Sequence, residues 1–103
     1  MLLNVRIYKQ YFDAILKGVK TTEYRTMSDY WMRKLVDVSK YGKDITTEQD
    51  LRTAIQDDAK PTFRDYDRIR FFCGKQTATY KIVCIRVYPH HDWFAIKLGE
   101  RLE

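Results

Sequence analysis

The chain has 103 residues, of which 45 % are hydrophobic and 32 % are charged. This balance is typical of one globular domain and excludes a disordered or fibrous chain. Residues 1–41 carry eight Lys/Arg against four Asp/Glu, residues 42–67 four against seven, and residues 68–103 seven against three. Two basic flanks around an acidic middle favour a polyanionic partner such as RNA or DNA. The sequence has no apolar stretch suited to a signal peptide or a membrane span, so we expect a cytoplasmic protein without membrane contact.

The first 26 residues change their hydrophobic period twice. Apolar and polar residues alternate over residues 2–9, which predicts a half-buried strand. Residues 10–18 switch to helical spacing and end at Gly18, a residue suited to the left-handed position after a helix. β-Branched and aromatic residues return in residues 19–26, so a second strand is expected to follow the short helix.

The next segment predicts two helices. Ser28 is a suitable N-cap for a helix that runs from Asp29 to about Lys40 and ends at Gly42. Thr46 or the following Thr then caps a second helix, because Thr46 and Gln49 match the capping-box pattern.

Residues from 68 onward have the period of strands. Residues 68–75 and 77–88 are two such runs around a short turn at Gly74–Gln76, which predicts a hairpin, and residues 93–100 supply a last strand. The order of elements indicates a single α+β domain over residues 1–103, with a mostly antiparallel sheet able to close into a small β-barrel. The two helices, at about 28–61, are expected to be an insertion.

The cysteines and histidines do not form a metal-binding pattern. Cys73 and Cys84 lie in predicted strands without a CxxC pair, so we expect free, buried thiols. His90, His91 and Asp92 are adjacent, and neighbouring side chains on an extended chain point in opposite directions. After Pro89 this segment predicts a turn, and we expect neither a metal site nor an obligatory cofactor.

The segment from Gly18 to Arg25 reads Gly-Val-Lys-Thr-Thr-Glu-Tyr-Arg and resembles GxKxxExR, the signature of the ASCH domain family. The segment Ile-Leu-Lys-Gly at Ile15–Gly18 leads into this motif, and a similar Ile-Leu-x-Gly segment occupies that place in the family. Two later segments are also similar: Tyr66–Phe71, in which Tyr66 replaces the family's Gly before Asp, and Phe94–Gly99. The resemblance implies a PUA-like barrel with a short helix after the first strand, and a function related to RNA or to modified bases.

The motif predicts a polar cleft that binds RNA or a nucleotide-like ligand. Lys20 offers a point charge and Arg25 a planar fork, a combination suited to phosphate or a base edge. Glu23 can accept a hydrogen bond from a base amino group. Lys20 must lie in the turn before the strand, or at a bulge, to share a face with Glu23 and Arg25. The predicted ligand-binding residues are Lys20, Thr21, Glu23, Arg25, Tyr8 and Lys9. Of the other nearby aromatic residues, Trp31 is expected in the core and Tyr24 is expected to face inward.

The resemblance also leaves enzymatic and protein-binding alternatives open. Some ASCH-like proteins are amidohydrolases of acetylated cytidine, and nuclease activity is associated with the family. In the amidohydrolase branch a Thr stands three positions after the motif Lys and a Glu lies on a downstream strand. Here the residue three positions after Lys20 is Glu23 instead of Thr, and the downstream strand, residues 81–88, contains no acidic residue. Both differences disfavour that activity. If the chain is an enzyme, Lys20 and Glu23 are the candidate catalytic residues. A protein-interaction module built on the helices at 29–58 is the other alternative.

Overall fold

The computed structural model describes residues 1–40 and 45–103. This part of the chain contains three α-helices and five strands, in the order β1 (Leu2–Arg6), α1 (Lys9–Leu16), β2 (Thr22–Thr26), α2 (Asp29–Leu35), α3 (Glu48–Gln56), β3 (Arg68–Cys73), β4 (Gln76–Tyr88) and β5 (Trp93–Arg101). Two short 3₁₀ turns are Val38–Lys40 and Pro89–His91. The predicted α+β class is therefore confirmed. Within the described residues, no helix has the length and apolar character needed to cross a membrane.

The five strands form one mixed sheet in the order β1-β3-β4-β5-β2. β1 and β3 are parallel, with Leu3 opposite Ile69. This is possible because the chain between them is far longer than a hairpin loop. β3 and β4 are antiparallel and place Ile69 opposite Tyr80, which confirms the predicted hairpin. Its turn contains Gly74 with φ of 59°, the left-handed conformation that two-residue hairpin turns favour.

The described chain forms two compact units, and three of the four boundaries between them along the sequence fall within β2, β4 and β5. The first unit comprises Met1–Glu23, Asp65–Ile85 and Ile96–Glu103, and the second comprises Tyr24–Arg64 and Arg86–Ala95. The sequence of the first unit contains ten Lys/Arg and six Asp/Glu, a net charge of +4 out of the chain's +5. The positive charge therefore belongs mainly to the first unit.

The core of the first unit lies between its strands and the inner face of α1. Alternation along β1 buries Leu3 and Val5, as its sequence pattern predicts, and the helical stripe of α1 buries Phe12 and Ile15. The Tyr80 hydroxyl donates a hydrogen bond to the Ile15 carbonyl at 3.4 Å. This contact fixes the C-terminal half of α1, and with it the chain that follows, against β4.

α2 begins where it is predicted to begin but ends earlier. Ser28 accepts a hydrogen bond from the Trp31 amide and caps the helix. The prediction that the helix continues to Lys40 is wrong, because Val36 is extended and forms a β-bridge with Phe63. Val36 is β-branched, and a nearby extended segment offers its backbone an alternative set of hydrogen bonds. Gly42, the predicted helix end, lies outside the described residues.

The capping box of α3 lies one residue later in the sequence than the predicted Thr46–Gln49 pair. Thr47, one of the two predicted N-caps, is the N-cap and forms a capping box with Asp50, whereas the predicted pairing of Thr46 with Gln49 is wrong. The Asp50 carboxylate accepts hydrogen bonds from the backbone amides of both Thr46 and Thr47, at 3.0 and 3.1 Å. These two bonds explain the register, because a carboxylate at Asp50 satisfies two amides at the helix start.

Candidate functional site

The turn after α1 brings Lys20 to the start of β2. Gly18 has φ of 75°, a conformation that glycine adopts without strain. The amides of Val19 and Lys20 both donate to the Ala14 carbonyl, at 3.0 and 3.1 Å, so the chain folds back over the end of the helix. Lys20 therefore lies in the turn before the strand, the position required for it to share a site with Glu23.

Lys20 and Glu23 form an ion pair with a distance of 3.3 Å between Nζ and Oε1. The Glu23 side chain is only 6 % exposed and the Lys20 side chain 21 %. Burying a carboxylate costs considerable free energy unless a cation or hydrogen-bond donors compensate it. The pair is therefore a built feature of the first unit and differs from a solvated charge pair on a strand surface.

The burial of Glu23 reverses one sequence-based prediction. Tyr24 was expected to face inward, but it is 48 % exposed, while Glu23 is buried. A strand alternates its faces, so burying Glu23 directs the next residue outward. The bulky aromatic ring lies at the surface because the carboxylate takes the inner position.

Two exposed tyrosines, Tyr11 of α1 and Tyr8 at its N-cap, continue the contacts of the Lys20–Glu23 pair toward the surface. Lys20 Nζ lies 5.4 Å from the centre of the Tyr11 ring, within the range of a cation–π contact. The rings of Tyr11 and Tyr8 are 6.4 Å apart and tilted by 51°. Both tyrosines are exposed. The four residues form a continuous row of contacts from the surface to a buried carboxylate, here named the Tyr–Lys–Glu cluster (Tyr8, Tyr11, Lys20, Glu23).

The other two predicted site residues of the first unit lie between members of this cluster in the sequence. Lys9 is exposed at the start of α1 and pairs with Asp13 at 3.1 Å. Thr21 is exposed, and its carbonyl accepts a hydrogen bond from the Leu98 amide at 2.9 Å. This bond attaches the residue between Lys20 and β2 to β5.

Arg25 belongs to the second unit, where its guanidinium lies 5.1 Å from the centre of the Trp31 ring. Trp31 was expected in the core and is half-buried. A common cleft for Arg25, Lys20 and Glu23 stays a prediction.

The structure also contains an aromatic group that the sequence analysis missed. In the second unit the rings of Trp93 and Tyr24 are 4.9 Å apart, Trp93 and His91 are stacked at 5.0 Å with a 16° angle, and His91 lies 6.4 Å from Tyr88. These four residues are named the aromatic row (Tyr24, Trp93, His91, Tyr88). No local pattern in the sequence indicates this row, because Tyr24 lies far from the other members along the chain and His91 lies in a 3₁₀ turn.

The turn that carries His91 is held by an arginine of α3. Arg52 donates to the Pro89 carbonyl at 3.2 Å and pairs with the carboxylates of Asp92 and Glu48. The hydrogen bond to Glu48 is the main cause that raises the pKa of Arg52. Asp92 adopts the left-handed conformation with φ of 63°, so its predicted role as a turn residue is confirmed. The Asp92 carbonyl also accepts from the Met27 amide at 2.9 Å.

The described residues contain no group of three or more His, Cys, Asp or Glu side chains arranged to hold a metal ion. Cys73 and Cys84 are free, as predicted, but they are half-buried.

Comparison of the chain with protein families, with curated proteins and with solved structures finds no match.

Proposed function

We propose that the chain is an ASCH-type, PUA-like domain that binds an unpaired nucleotide of RNA, or a nucleotide-like ligand, at the Tyr–Lys–Glu cluster. The observation that carries this proposal is the Lys20–Glu23 pair. Its carboxylate is 6 % exposed, and its ammonium also contacts the ring of an exposed tyrosine, Tyr11. Buried ionisable groups next to accessible aromatic rings are typical of ligand-binding sites.

Each member of the cluster has a chemical role in this proposal. The tyrosine rings stack on an unpaired base, an interaction worth about 1–3 kcal/mol per base. An ammonium group has three hydrogens, so Lys20 can bind a phosphate oxygen while it remains paired with Glu23. Glu23 accepts a hydrogen bond from an exocyclic amino group of the base. The ligand therefore combines an anionic group with a flat ring that bears a donor.

The charge of the first unit supports the same class of ligand. Its sequence carries +4 of the chain's net charge, which favours the approach of an anion and makes binding sensitive to salt. Lys9, next to Tyr8 in the sequence, adds an exposed cation for a neighbouring phosphate.

The proposal is tested by an amide-shift titration of isotope-labelled protein at low salt. The ligands are a ten-residue oligouridylate, its DNA counterpart, and the nucleotides CMP and UMP. We expect saturable shifts centred on residues 8–11 and 18–23, and tighter binding of CMP than of UMP because only cytosine donates an amino group to Glu23. Absence of shifts in these segments with all four ligands would refute the proposal.

The contribution of Lys20 is isolated by two matched substitutions. Lys20→Met removes the charge of the cluster, whereas Lys17→Met removes an equal charge from an exposed position in the same turn. We expect the first variant to bind CMP at least about 10-fold more weakly and the second to change binding less than about 2-fold. Tyr11→Leu, which leaves the ion pair intact, provides an independent variant if Lys20→Met is too unstable. An equal loss of CMP affinity in the two lysine variants would mean that binding depends only on the net charge of the protein and not on the position of Lys20.

A hydrolase acting on a modified nucleoside is the second candidate, because a buried carboxylate beside a lysine can support proton transfer. Adding acetylcytidine to the same titration tests it. New cytidine and acetate signals that require Lys20 and Glu23 would favour the hydrolase.

A further inference from the structure

We propose that the aromatic row of the second unit is a separate stacking surface for the bases of single-stranded nucleic acid. Its members come from three parts of the chain: Tyr24 from β2, Tyr88 from the end of β4, and His91 and Trp93 from the turn and strand that follow. Adjacent rings lie 4.9–6.4 Å apart, the range of direct aromatic contact. This surface shares no residue with the Tyr–Lys–Glu cluster.

The exposure of the row distinguishes it from a core cluster. Tyr24, Tyr88 and His91 are exposed, and Trp93 is half-buried and lies between Tyr24 and His91. Aromatic side chains that serve only packing are buried on all sides, whereas a half-buried anchor with exposed neighbours presents ring surface to a ligand.

The turn at the centre of the row is fixed before any ligand arrives. The Asp92 backbone carbonyl accepts from Met27, and the Asp92 carboxylate pairs with Arg52, which also donates to the Pro89 carbonyl. A surface held in this way loses little conformational entropy when it binds a ligand. The arrangement is therefore suited to a flat, rigid group such as a base.

An exposed arginine beside the row favours an anionic strand over a neutral ligand. Arg86 is exposed and precedes Tyr88 by two residues in β4, so both side chains project from the same face. The carboxylate of Asp92 is paired with Arg52, which also pairs with Glu48. In this proposal the bases stack on the rings while the phosphates lie near Arg86.

The experiment uses the intrinsic fluorescence of the row. The chain has two tryptophans, so Trp31→Phe leaves Trp93 as the sole tryptophan and keeps a ring beside Arg25. This protein is titrated with decathymidylate and with an abasic deoxy-oligonucleotide of the same length. We expect saturable quenching by decathymidylate and an affinity for the abasic strand at least about 10-fold weaker. Equal binding of both strands would overturn the inference, because it would mean that only phosphates are recognised.

Variants in the same background locate the contact. His91→Ala and Tyr24→Leu should each weaken binding about 5-fold or more, the loss of one stacked ring. Tyr30→Leu, which removes an exposed tyrosine of α2 outside the row, should change it less than about 2-fold. Thermal unfolding confirms that each variant is folded. Unchanged affinity in both row variants, or equal quenching by a neutral oligosaccharide such as maltohexaose, would overturn the inference.

Lys20→Met separates this surface from the site proposed in the first unit. The quenching of Trp93 should be unchanged by that substitution. If quenching persists while the first unit shows no shifts, the proposed function fails and the stacking surface stands. If Lys20→Met abolishes the quenching of Trp93, the row is not an independent site.

Discussion

Removing the charge of Lys20 should destabilise the protein far more than removing an exposed lysine. A hydrogen bond to a charged group contributes about 1.5–3 kcal/mol to stability. Because Lys20 keeps 21 % of its side-chain exposure, we expect Lys20→Met to lower the free energy of unfolding by about 2 kcal/mol. For a domain of this size that loss lowers Tm by about 8–16 °C. Methionine keeps the apolar stem of the lysine, so the change reports mainly the lost charge.

A double-mutant cycle measured by urea unfolding tests this magnitude. Lys20→Met and Glu23→Gln are made singly and together, and we expect a coupling energy of at least about 1 kcal/mol. Lys9→Met with Asp13→Asn provides the control cycle, since these side chains are 73 % and 40 % exposed and form an ordinary i,i+4 pair. That cycle should give about 0.3–0.5 kcal/mol. A Lys20–Glu23 coupling no larger than the control would refute the reasoning from burial.

Three further predictions concern the turn after α1 and the start of α3. Gly18→Ala should cost about 1 kcal/mol in chemical unfolding, because Gly18 has φ of 75° and nothing lies within 4 Å of an added Cβ. A loss above about 3 kcal/mol would instead indicate a clash. Thr47→Ala should cost about 1 kcal/mol by removing the capping box, and an unchanged Tm would contradict that role. Backbone hydrogen bonds from Thr46 and Thr47 lower the pKa of Asp50. Its contribution to stability is therefore complete above its unfolded pKa of about 4 and is lost as the pH falls through the lower folded value. Asp50→Asn should reduce the dependence of the unfolding free energy on pH in this acidic range. An unchanged pH dependence would contradict the contribution assigned to Asp50.

The parts of the fold that depend on local pattern were predicted well. Alternation over β1, the helical stripe of α1 and the glycine turn of the β3–β4 hairpin are each encoded within about ten residues. These elements use intrinsic preferences that the surrounding structure does not oppose. The position of Lys20 in the turn follows from the same local signals, because Gly18 ends the helix just before it.

The parts that depend on distant residues were not predictable in this way. Val36 leaves the helix because Phe63, far along the chain, pairs with its backbone. The exposure of Tyr24 depends on whether the fold buries a carboxylate at the preceding position, and simple hydrophobicity favours the opposite arrangement. The aromatic row joins Tyr24 to residues more than sixty positions later, so no local pattern reveals it.

The contacts of Arg52 make α3 a support for the turn between β4 and β5. A helical insertion is ordinarily dispensable, because a loop can be shortened without disturbing the strands that flank it. Here a side chain of α3 holds both the Pro89 carbonyl and the Asp92 carboxylate in the connection from β4 to β5. A shortened protein that lacks α3 would therefore lose the support of a turn elsewhere in the chain. α3 therefore contributes to the scaffold of the second unit, and shortened versions of the protein have to retain it.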